Sequence, residues 1–208
     1  MNKTRILLAT TNPGKIREVK EFFAGLPVGI LSLDSVCPQT LFPETAENFR
    51  ENARGKSLFY SQYTGGLTLA EDSGLEIEWL GGAPGVLSAR FSGPAATDEK
   101  NIRKVLRLLK GVPLPKRRAR FVSHLALSRK GRIIKETRGE VRGTIALQKK
   151  GEGGFGYDPI FIHPRLGQTF AEISQQRKNR VSHRGRALRK MKEFLEDYLP
   201  SARGKSKG

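Results

Sequence analysis

Two adjacent carboxylates, Glu71 and Asp72, interrupt an apolar stretch of the sequence, residues 67–82 (L-T-L-A-E-D-S-G-L-E-I-E-W-L-G-G). Moving a charge out of water is costly unless an opposite charge compensates it. A divalent cation held by carboxylate oxygens would do so, which makes the pair a candidate metal site. Asp-Ser-Gly is also ordinary turn chemistry, and on this stretch alone a turn is the simpler interpretation.

The N-terminal segment predicts a strand, a tight loop and a helix in immediate succession. Residues 5–10 (R-I-L-L-A-T) are typical of a buried strand, and Gly25 ends the helix. The loop at residues 11–15 (T-N-P-G-K) would offer an anion its backbone N–H groups, the helix N-terminus and the charge of Lys15. The loop lacks the full Gly-x-x-x-x-Gly-Lys spacing, and the same arrangement is common where no ligand binds.

Two later segments carry groups that suit a flat ligand. Residues 151–157 (G-E-G-G-F-G-Y) are too rich in glycine for regular structure, yet they contain Phe155 and Tyr157. An aromatic ring that stacks on a nucleic-acid base contributes ~1–3 kcal/mol. A hairpin loop with incidental aromatics is the alternative. Lys178 and residues 182–185 (S-H-R-G) come next, and the latter open a helix.

The elements that must position these groups follow from periodicity. A strand over 28–33 and a loop over 34–43 precede a long helix, which Thr45 would cap and Gly65-Gly66 would end. Glu44, just before that cap, is placed either to ligate a metal or to favour the helix dipole. In the central stretch, Ser73-Gly74 predicts a break between a strand over 67–70 and a second strand over 75–79.

The second half of the chain predicts a helix capped by Thr97 and then mostly strands. Residues 119–128 and 132–142 predict a β-hairpin, because Arg129-Lys130-Gly131 separates two runs of strand character. Residues 158–162 predict a further strand directly after the glycine-rich loop. We find neither an internal repeat nor a domain linker, so we expect a single domain over 1–199, followed by a basic, disordered tail over 200–208.

Composition narrows the class of protein. The chain has 208 residues, and its apolar runs are too short for a signal peptide or a membrane span, so we expect a cytoplasmic protein. A single cysteine, Cys37, excludes an internal disulfide and a Cys-rich zinc site, so any metal must be held by oxygen. Residues 1–100 contain 10 Lys and Arg against 12 Asp and Glu, whereas residues 101–208 contain 28 against 8. The basic half could attract nucleic acid, a membrane surface or a nucleoside triphosphate.

Taken together, the motifs resemble those of the inosine/xanthosine triphosphate pyrophosphatase family. The resemblance extends from residue 7 to about residue 195. It is carried by six segments in order: L-L-A-T-T-N-P-G-K (7–15), T-A-E-N-F-R-E-N-A (45–53), E-D-S-G-L (71–75), L-G-G-A-P-G-V-L-S-A-R-F-S-G (80–93), G-G-F-G-Y-D-P-I-F (153–161) and S-H-R-G-R-A-L (182–188).

The resemblance implies an α/β fold with an elongated, mixed β-sheet, flanking helices and two lobes that enclose a nucleotide cleft, usually as a homodimer. It implies a Mg²⁺-dependent reaction in which a deaminated purine nucleoside triphosphate (ITP, dITP or XTP) and water give the monophosphate and pyrophosphate. Asp72 is implied as the general base and as a metal ligand together with Glu44. The implied substrate contacts are Thr10, Thr11, Asn12, Pro13, Gly14 and Lys15 at the triphosphate, Ser73 nearby, Phe155, Gly156, Tyr157 and Asp158 around base and ribose, and Lys178, His183 and Arg184 at the purine edge.

The sequence departs from the family pattern at two acidic positions. The family often has two consecutive glutamates before the long helix, and here Pro43 replaces the first of them, leaving Glu44 alone. The central pair is Glu71-Asp72 where many members have two aspartates, so either Glu44 or Glu71 could complete the metal site. A related pyrophosphatase for other modified nucleotides and a basic nucleic-acid-binding module are the alternative functions. No recognisable RNA- or DNA-binding motif supports the module, and no specific nucleic acid is expected as a partner.

Overall fold

The computed structural model describes residues 3–36 and 41–199, so Cys37 and the expected basic tail lie outside the described residues. Within those two ranges, none of the helices is long and apolar enough to cross a membrane. The strands are β1 (Thr4–Leu8), β2 (Val28–Ser32), β3 (Leu67–Ile77), β4 (Arg118–Arg129), β5 (Arg132–Ile145) and β6 (Phe161–Ile162). The α-helices are α1 (Pro13–Phe22), α2 (Phe49–Ser61), α3 (Asp98–Leu108), α4 (Gln175–Val181) and α5 (His183–Tyr198).

The six strands form one mixed sheet in the order β2-β1-β3-β4-β5-β6. Strand β1 pairs in parallel with both β2 and β3, and the remaining pairs are antiparallel. The predicted hairpin is present: Lys130 and Gly131, both with positive φ, make a two-residue turn between β4 and β5. The predicted α/β fold with a mixed sheet and flanking helices is therefore confirmed.

Helices cover both faces of the first half of the sheet. Because side chains alternate along a strand, Ile6 and Leu69 face the apolar stripes of α1 and α5, whereas Leu7 and Ala70 pack against Tyr60 of α2. A separate core fills the second half of the sheet, where α3, β6 and the ends of β3, β4 and β5 meet. The long strand β3 contributes to both halves, and so joins the two lobes that border the cleft.

The predicted break at Ser73-Gly74 is wrong, because β3 runs without interruption from Leu67 to Ile77. Gly74 pairs with Val122 of β4 inside the ladder. A Cβ at Gly74 would lie 2.6 Å from the Gly85 carbonyl oxygen and 2.8 Å from the Phe49 ring. This glycine is therefore required by close packing against neighbouring backbone and side chains and not by a turn.

Other predicted boundaries need smaller corrections. Helix α2 is capped by Asn48, whose side chain accepts from the Glu51 N–H, and not by Thr45. Trp79 lies in a 3₁₀ turn after β3, and residues 158–160 form another such turn, so β6 is only two residues long. The predicted cap Thr97 of α3 is confirmed, since its side-chain oxygen accepts a backbone N–H of the first turn. Helix α5 begins within residues 182–185 as expected, and Ser182 caps it in the same way.

Candidate active site

A cleft of about 390 Å³ lies between the two lobes, over the middle of β3. It is bordered by the loop before α1, the segment before α2, the glycine-rich loop and the start of α5. Its polar and aromatic lining comprises Thr10, Thr11, Asn12, Lys15, Glu44, Lys56, Asp72, Ser73, Ser88, Asp98, Asn101, Phe121, Phe155, Tyr157, Asp158, His183 and Arg184. Most of the residues predicted to bind a nucleotide therefore meet at one place.

The two adjacent carboxylates of β3 have separate environments. Neighbouring residues of a strand point to opposite faces of the sheet, so Glu71 faces α5 while Asp72 faces α2. Glu71 accepts two hydrogen bonds from Arg184 Nε, at 2.7 and 2.9 Å, and one from Ser123 Oγ at 2.9 Å. Asp72 lines the cleft and Glu71 does not. Of the two, only Asp72 is placed to act on a ligand.

Asp72 is held by neutral donors on both oxygens. Its Oδ2 accepts from Asn52 Nδ2 at 3.0 Å, and its Oδ1 accepts from the Ser73 backbone N–H at 3.0 Å. Burial raises the pKa of Asp72 above its ordinary value, against the lowering effect of Lys15 and Lys56. A buried carboxylate with raised basicity suits a general base.

A second carboxylate approaches Asp72 from the segment that precedes α2. Glu44 forms an ion pair with Lys56, whose Nζ also donates to the Glu71 carbonyl oxygen at 3.2 Å. Arg90 Nη2 donates to the Glu44 carbonyl oxygen at 2.8 Å and anchors the same segment to the opposite lobe. Glu44, Lys56 and Asp72 thus form an acid–base–acid group at the floor of the cleft.

The loop before α1 supplies a further positive charge. Asn12 caps α1 by accepting the Lys15 N–H at 3.1 Å, and Pro13 occupies the first turn, where a missing N–H costs nothing. Burial lowers the pKa of Lys15, whereas the carboxylates of Glu71 and Asp72 act to raise it. In the described part of the chain, the Lys15 side chain has no salt-bridge partner, and it faces the cleft. It is available to an anionic ligand.

Phe155 forms one wall of the cleft by packing onto the N-terminus of α1. A Cβ at Gly14 would lie 2.6 Å from its ring, so only glycine allows this approach. Lys178 Nζ lies 4.4 Å and Arg184 Cζ 5.2 Å from the ring centroid, which adds cation–π attraction. Tyr157 instead packs into the second core and donates its hydroxyl to the Ser88 carbonyl oxygen at 2.8 Å. Phe155 is therefore the better placed of the two rings for stacking on a base.

Behind this wall lies a buried ion cluster that connects five elements. Lys178 Nζ contacts Asp158 Oδ2 at 2.6 Å and Glu18 Oε1 at 3.0 Å. Arg184 Nη1 contacts Glu18 Oε2 at 2.8 Å, while its Nε contacts Glu71. Because isolated buried charges are destabilising by several kcal/mol, each member depends on the others. The cluster fixes the start of α5 and the glycine-rich loop relative to α1.

His183 lines the cleft in its neutral form. Its ring stacks on Phe121, with centroids 4.5 Å apart and an angle of 10° between the planes. Burial lowers the pKa of His183 well below its ordinary value, and the charge of Arg184 acts in the same direction. Its buried Nδ1 has no hydrogen-bond partner among the described residues. A neutral imidazole offers a ligand one donor and one acceptor.

One family of known proteins matches this sequence. The sequence model of the Ham1 family matches residues 6–194, which is nearly the whole chain. The chain belongs to the Ham1 family.

Relatives of this Ham1-family chain include proteins named dITP/XTP pyrophosphatase. That of Desulforamulus reducens is 44% identical over 191 residues, which cover 92% of this chain and 95% of the relative. The Bacillus subtilis protein is 43% identical over 190 residues, which cover 91% of this chain and 96% of the relative. Among solved structures, the Staphylococcus aureus Ham1 protein is similar with a TM-score of 0.83 at 38% identity, covering 94% of this chain and 100% of that one. A HAM1 protein from Coxiella burnetii is similar with a TM-score of 0.85 at 37% identity, and the match covers 93% of this chain and 99% of that one.

The structure of the Ham1-family chain places most predicted site residues on the cleft surface, but not all of them. Pro13, Gly14 and Lys178 do not line the cleft. Lys178 is 2% exposed and is engaged by two carboxylates, so it lies behind Phe155 and not on the cleft surface. The site residues predicted from the sequence do not include Lys56, Asn52 or Glu18. Lys56 and Asn52 lie on the buried face of α2, so the periodicity of this helix is a signal that could indicate both.

The carboxylates at the cleft floor are the described groups best suited to Mg²⁺. The described residues contain no group of three or more His, Cys, Asp or Glu side chains that could hold a metal ion. Mg²⁺ in nucleotide enzymes is nevertheless held by one or two carboxylates together with substrate phosphates and water. Asp72 and Glu44 meet this requirement with hard oxygen ligands, and Lys56 balances their charge. These residues fit the ion when a triphosphate is bound.

Acid should destabilise this Ham1-family chain through Glu18 and Glu71. Burial alone would raise the pKa of each, but the charges around them, Arg184 in both cases, lower it to about 2. Because the pKa is lower in the folded state, each ionised carboxylate stabilises the fold. This stabilisation is fully present above the unfolded-state pKa near 4.5, and it is lost as the pH falls towards 2. The expected loss is on the order of 3 kcal/mol of unfolding free energy per carboxylate. Asp158 offsets part of it, because burial raises the pKa of Asp158 and its protonation in acid therefore favours the folded state.

Urea unfolding at a series of pH values between 6 and 3 measures this effect. The Glu71→Gln variant serves as the control, because it lacks one of the two titrating groups and should show a shallower pH dependence. An unfolding free energy that stays constant over this range, or equal slopes in both proteins, would contradict the expectation.

Proposed function

We propose that this chain hydrolyses deaminated purine nucleoside triphosphates, ITP, dITP and XTP, to the monophosphate and pyrophosphate. The observation that carries the proposal is the presence of both carboxylates and ammonium groups in one cleft. Asp72 and Glu44 line the same cleft as the cationic side chains of Lys15 and Lys56, beside an aromatic wall at Phe155. The relatives named dITP/XTP pyrophosphatase support it, since they match more than nine-tenths of the chain.

Mg²⁺ is the proposed cofactor, and Asp72 and Glu44 are the residues that would hold it. When bound, it would polarise the phosphate and help to neutralise the departing pyrophosphate. Lys15 binds phosphate oxygens, because its positive charge faces the cleft. Asp72 accepts the proton of the attacking water, for which its buried, raised basicity suits it.

The rest of the cleft binds the nucleoside. Phe155 stacks on the base, and its rigid backing by Gly14 and Lys178 keeps the ring in place before substrate arrives. Arg184 retains N–H groups beyond those engaged by Glu18, Glu71 and Ser73, since a guanidinium carries five. These, with His183, are the proposed donors to the purine edge.

The reaction is tested by product analysis with and without metal. The purified chain is incubated with ITP and Mg²⁺, and phosphate and pyrophosphate are quantified separately. We expect one pyrophosphate and one IMP per ITP consumed, and loss of turnover in excess EDTA that returns when Mg²⁺ is added, because the proposed cation ligands are hard oxygens. Release of single phosphates, or full turnover in EDTA, would refute the proposal.

The proposal includes a cytoplasmic homodimer, as the family resemblance implies. The described surface carries large apolar side chains that could be buried in a subunit interface, such as Trp79, which is 50% exposed, and Leu87, which is 48% exposed. Size-exclusion chromatography with light scattering measures the mass directly, and a monomer at micromolar concentration would contradict the dimer.

A further inference from the structure

Asn52 of α2 is a buried polar residue that neither contacts the substrate nor holds the cation in the proposed reaction. It is 1% exposed and does not line the cleft. Its side chain makes three hydrogen bonds: Oδ1 accepts the Ala46 N–H at 3.0 Å, while Nδ2 donates to the Ala46 carbonyl oxygen at 3.3 Å and to Asp72 Oδ2 at 3.0 Å. Both donors and the acceptor of the amide are therefore engaged at once.

The orientation of this amide is determined by its neighbours. The Ala46 N–H can only donate, so it requires the carbonyl end of Asn52, and this directs the NH₂ end towards Asp72. A neutral donor suits the ionised carboxylate of Asp72 without adding a competing charge. Asn52 thus sets where Asp72 Oδ2 lies.

The same side chain also holds the segment that carries Glu44. Residues 41–46 have no helical or strand hydrogen bonding, so their position depends on side-chain anchors. Asn52 binds both backbone groups of Ala46, two residues from Glu44, and α2 is in turn packed on the sheet through Ala53 and Ser57. The Asn52 side chain therefore links Asp72 to the segment that carries Glu44, and α2 holds this link against the sheet.

We propose that Asn52 is a positioning residue that fixes Asp72 and the Glu44 segment at the separation needed for joint cation binding. The inference rests on the proposed function, because it assigns Asn52 to the Mg²⁺-dependent step of that reaction. Partners that orient ligating side chains typically change metal affinity or activity by 10–100-fold when they are removed. Asn52→Ala should therefore weaken Mg²⁺ affinity and lower kcat, each by about 10- to 100-fold.

The experiment compares Asn52→Ala with Ser57→Ala. Ser57 lies on the same helix and is equally buried, and its Oγ bonds to the Thr68 carbonyl oxygen at 3.0 Å and to Ser128 Oγ at 2.8 Å, away from the cleft. Both variants lose buried hydrogen bonds between α2 and its surroundings, so both should lower Tm. Only Asn52→Ala should alter Mg²⁺ binding. Asn52→Ser, which is too short to reach both partners, replaces it if the alanine variant does not fold.

Two readouts are used for each protein. Calorimetric titration of Mg²⁺ in the presence of an ITP analogue with a methylene bridge between the α and β phosphorus atoms measures affinity without turnover, and steady-state kinetics give kcat and the half-saturating Mg²⁺ concentration. Weaker Mg²⁺ binding by tenfold or more in the Asn52 variant, with Ser57→Ala like wild type, supports the positioning role. Mg²⁺ affinity and kcat within about twofold of wild type overturn it. Wild-type protein that releases no pyrophosphate from ITP overturns the proposed function, and with it this inference.

Discussion

Replacing Asp72 with asparagine is expected to lower kcat for ITP by about 10³-fold or more, because it removes the proposed general base and one of the cation ligands. The shape of the side chain is retained, and its one oxygen can still accept from Asn52 Nδ2. Its NH₂ group then faces the Ser73 backbone N–H, so that hydrogen bond is lost. Since burial disfavours the ionised form of Asp72, removing the charge should offset the lost hydrogen bond, so Tm should stay close to that of wild type. Steady-state kinetics and thermal unfolding of the same preparation measure both effects.

The adjacent acid provides the matched control. Glu71→Gln removes a charge one residue away on β3, but on the other face of the sheet, where it weakens the pairing with Arg184. It should lower unfolding free energy by about 3 kcal/mol and affect kcat far less than Asp72→Asn does. Near-normal turnover in Asp72→Asn would exclude Asp72 as the base. A kcat loss in Glu71→Gln as large as that of Asp72→Asn would show that the face of the strand does not separate the two roles.

Selectivity for a 6-oxo purine is the second large expected effect: kcat/KM for ITP should exceed that for ATP by ~10⁴. The 6-oxo group accepts hydrogen bonds, and the spare N–H groups of Arg184 can only donate. The 6-amino group of adenine would set donor against donor at a buried charge, which is a costly mismatch. GTP carries the same 6-oxo group, so its rejection requires a contact at the 2-amino group.

The structure decides which variant tests this selectivity. Arg184→Ala would leave Glu18 and Glu71 without their shared partner and would destabilise the chain. Arg184→Lys keeps the charge but loses the planar fork, so the ITP-to-ATP ratio of kcat/KM should fall markedly. The ratio does not depend on the fraction of folded enzyme. Equal use of ITP and ATP by wild type would refute the assignment, and an unchanged ratio in Arg184→Lys would remove Arg184 from it.

Thr137→Val is the control for the Arg184 variant. Thr137 donates its hydroxyl to the Ala187 carbonyl oxygen at 3.0 Å, so this change disturbs α5 without touching the cleft lining. It should lower Tm while leaving the ITP-to-ATP ratio as in wild type. A change in the ratio here would mean that any loosening of α5 alters selectivity, and the effect of Arg184→Lys would then not be specific.

Local chemistry was readable from the sequence where it depends on neighbouring residues. Helix caps and tight turns are short-range signals, because each is formed within a few residues. The examples here are Asn12-Pro13 at the start of α1, Thr97 and Ser182 at later helix starts, and Lys130-Gly131 in the hairpin. The family motifs likewise indicated which segments converge. The cap of α2 shows the limit of such signals, because Thr45 and Asn48 can both cap a helix and only Asn48 does so here.

The tertiary structure alone decided what each charged residue of the cleft does. Ser73-Gly74 has the composition of a turn, but packing against the backbone at Gly85 makes it the middle of a strand. Once β3 is continuous, the alternation of its side chains sends Glu71 to Arg184 and Asp72 to Asn52. Pairings between residues far apart in the chain leave no local pattern in the sequence, because they depend on how helices and strands pack and not on the neighbours along the chain. The sequence therefore determined that acids and bases would meet a nucleotide, and only the fold determined which of them face it.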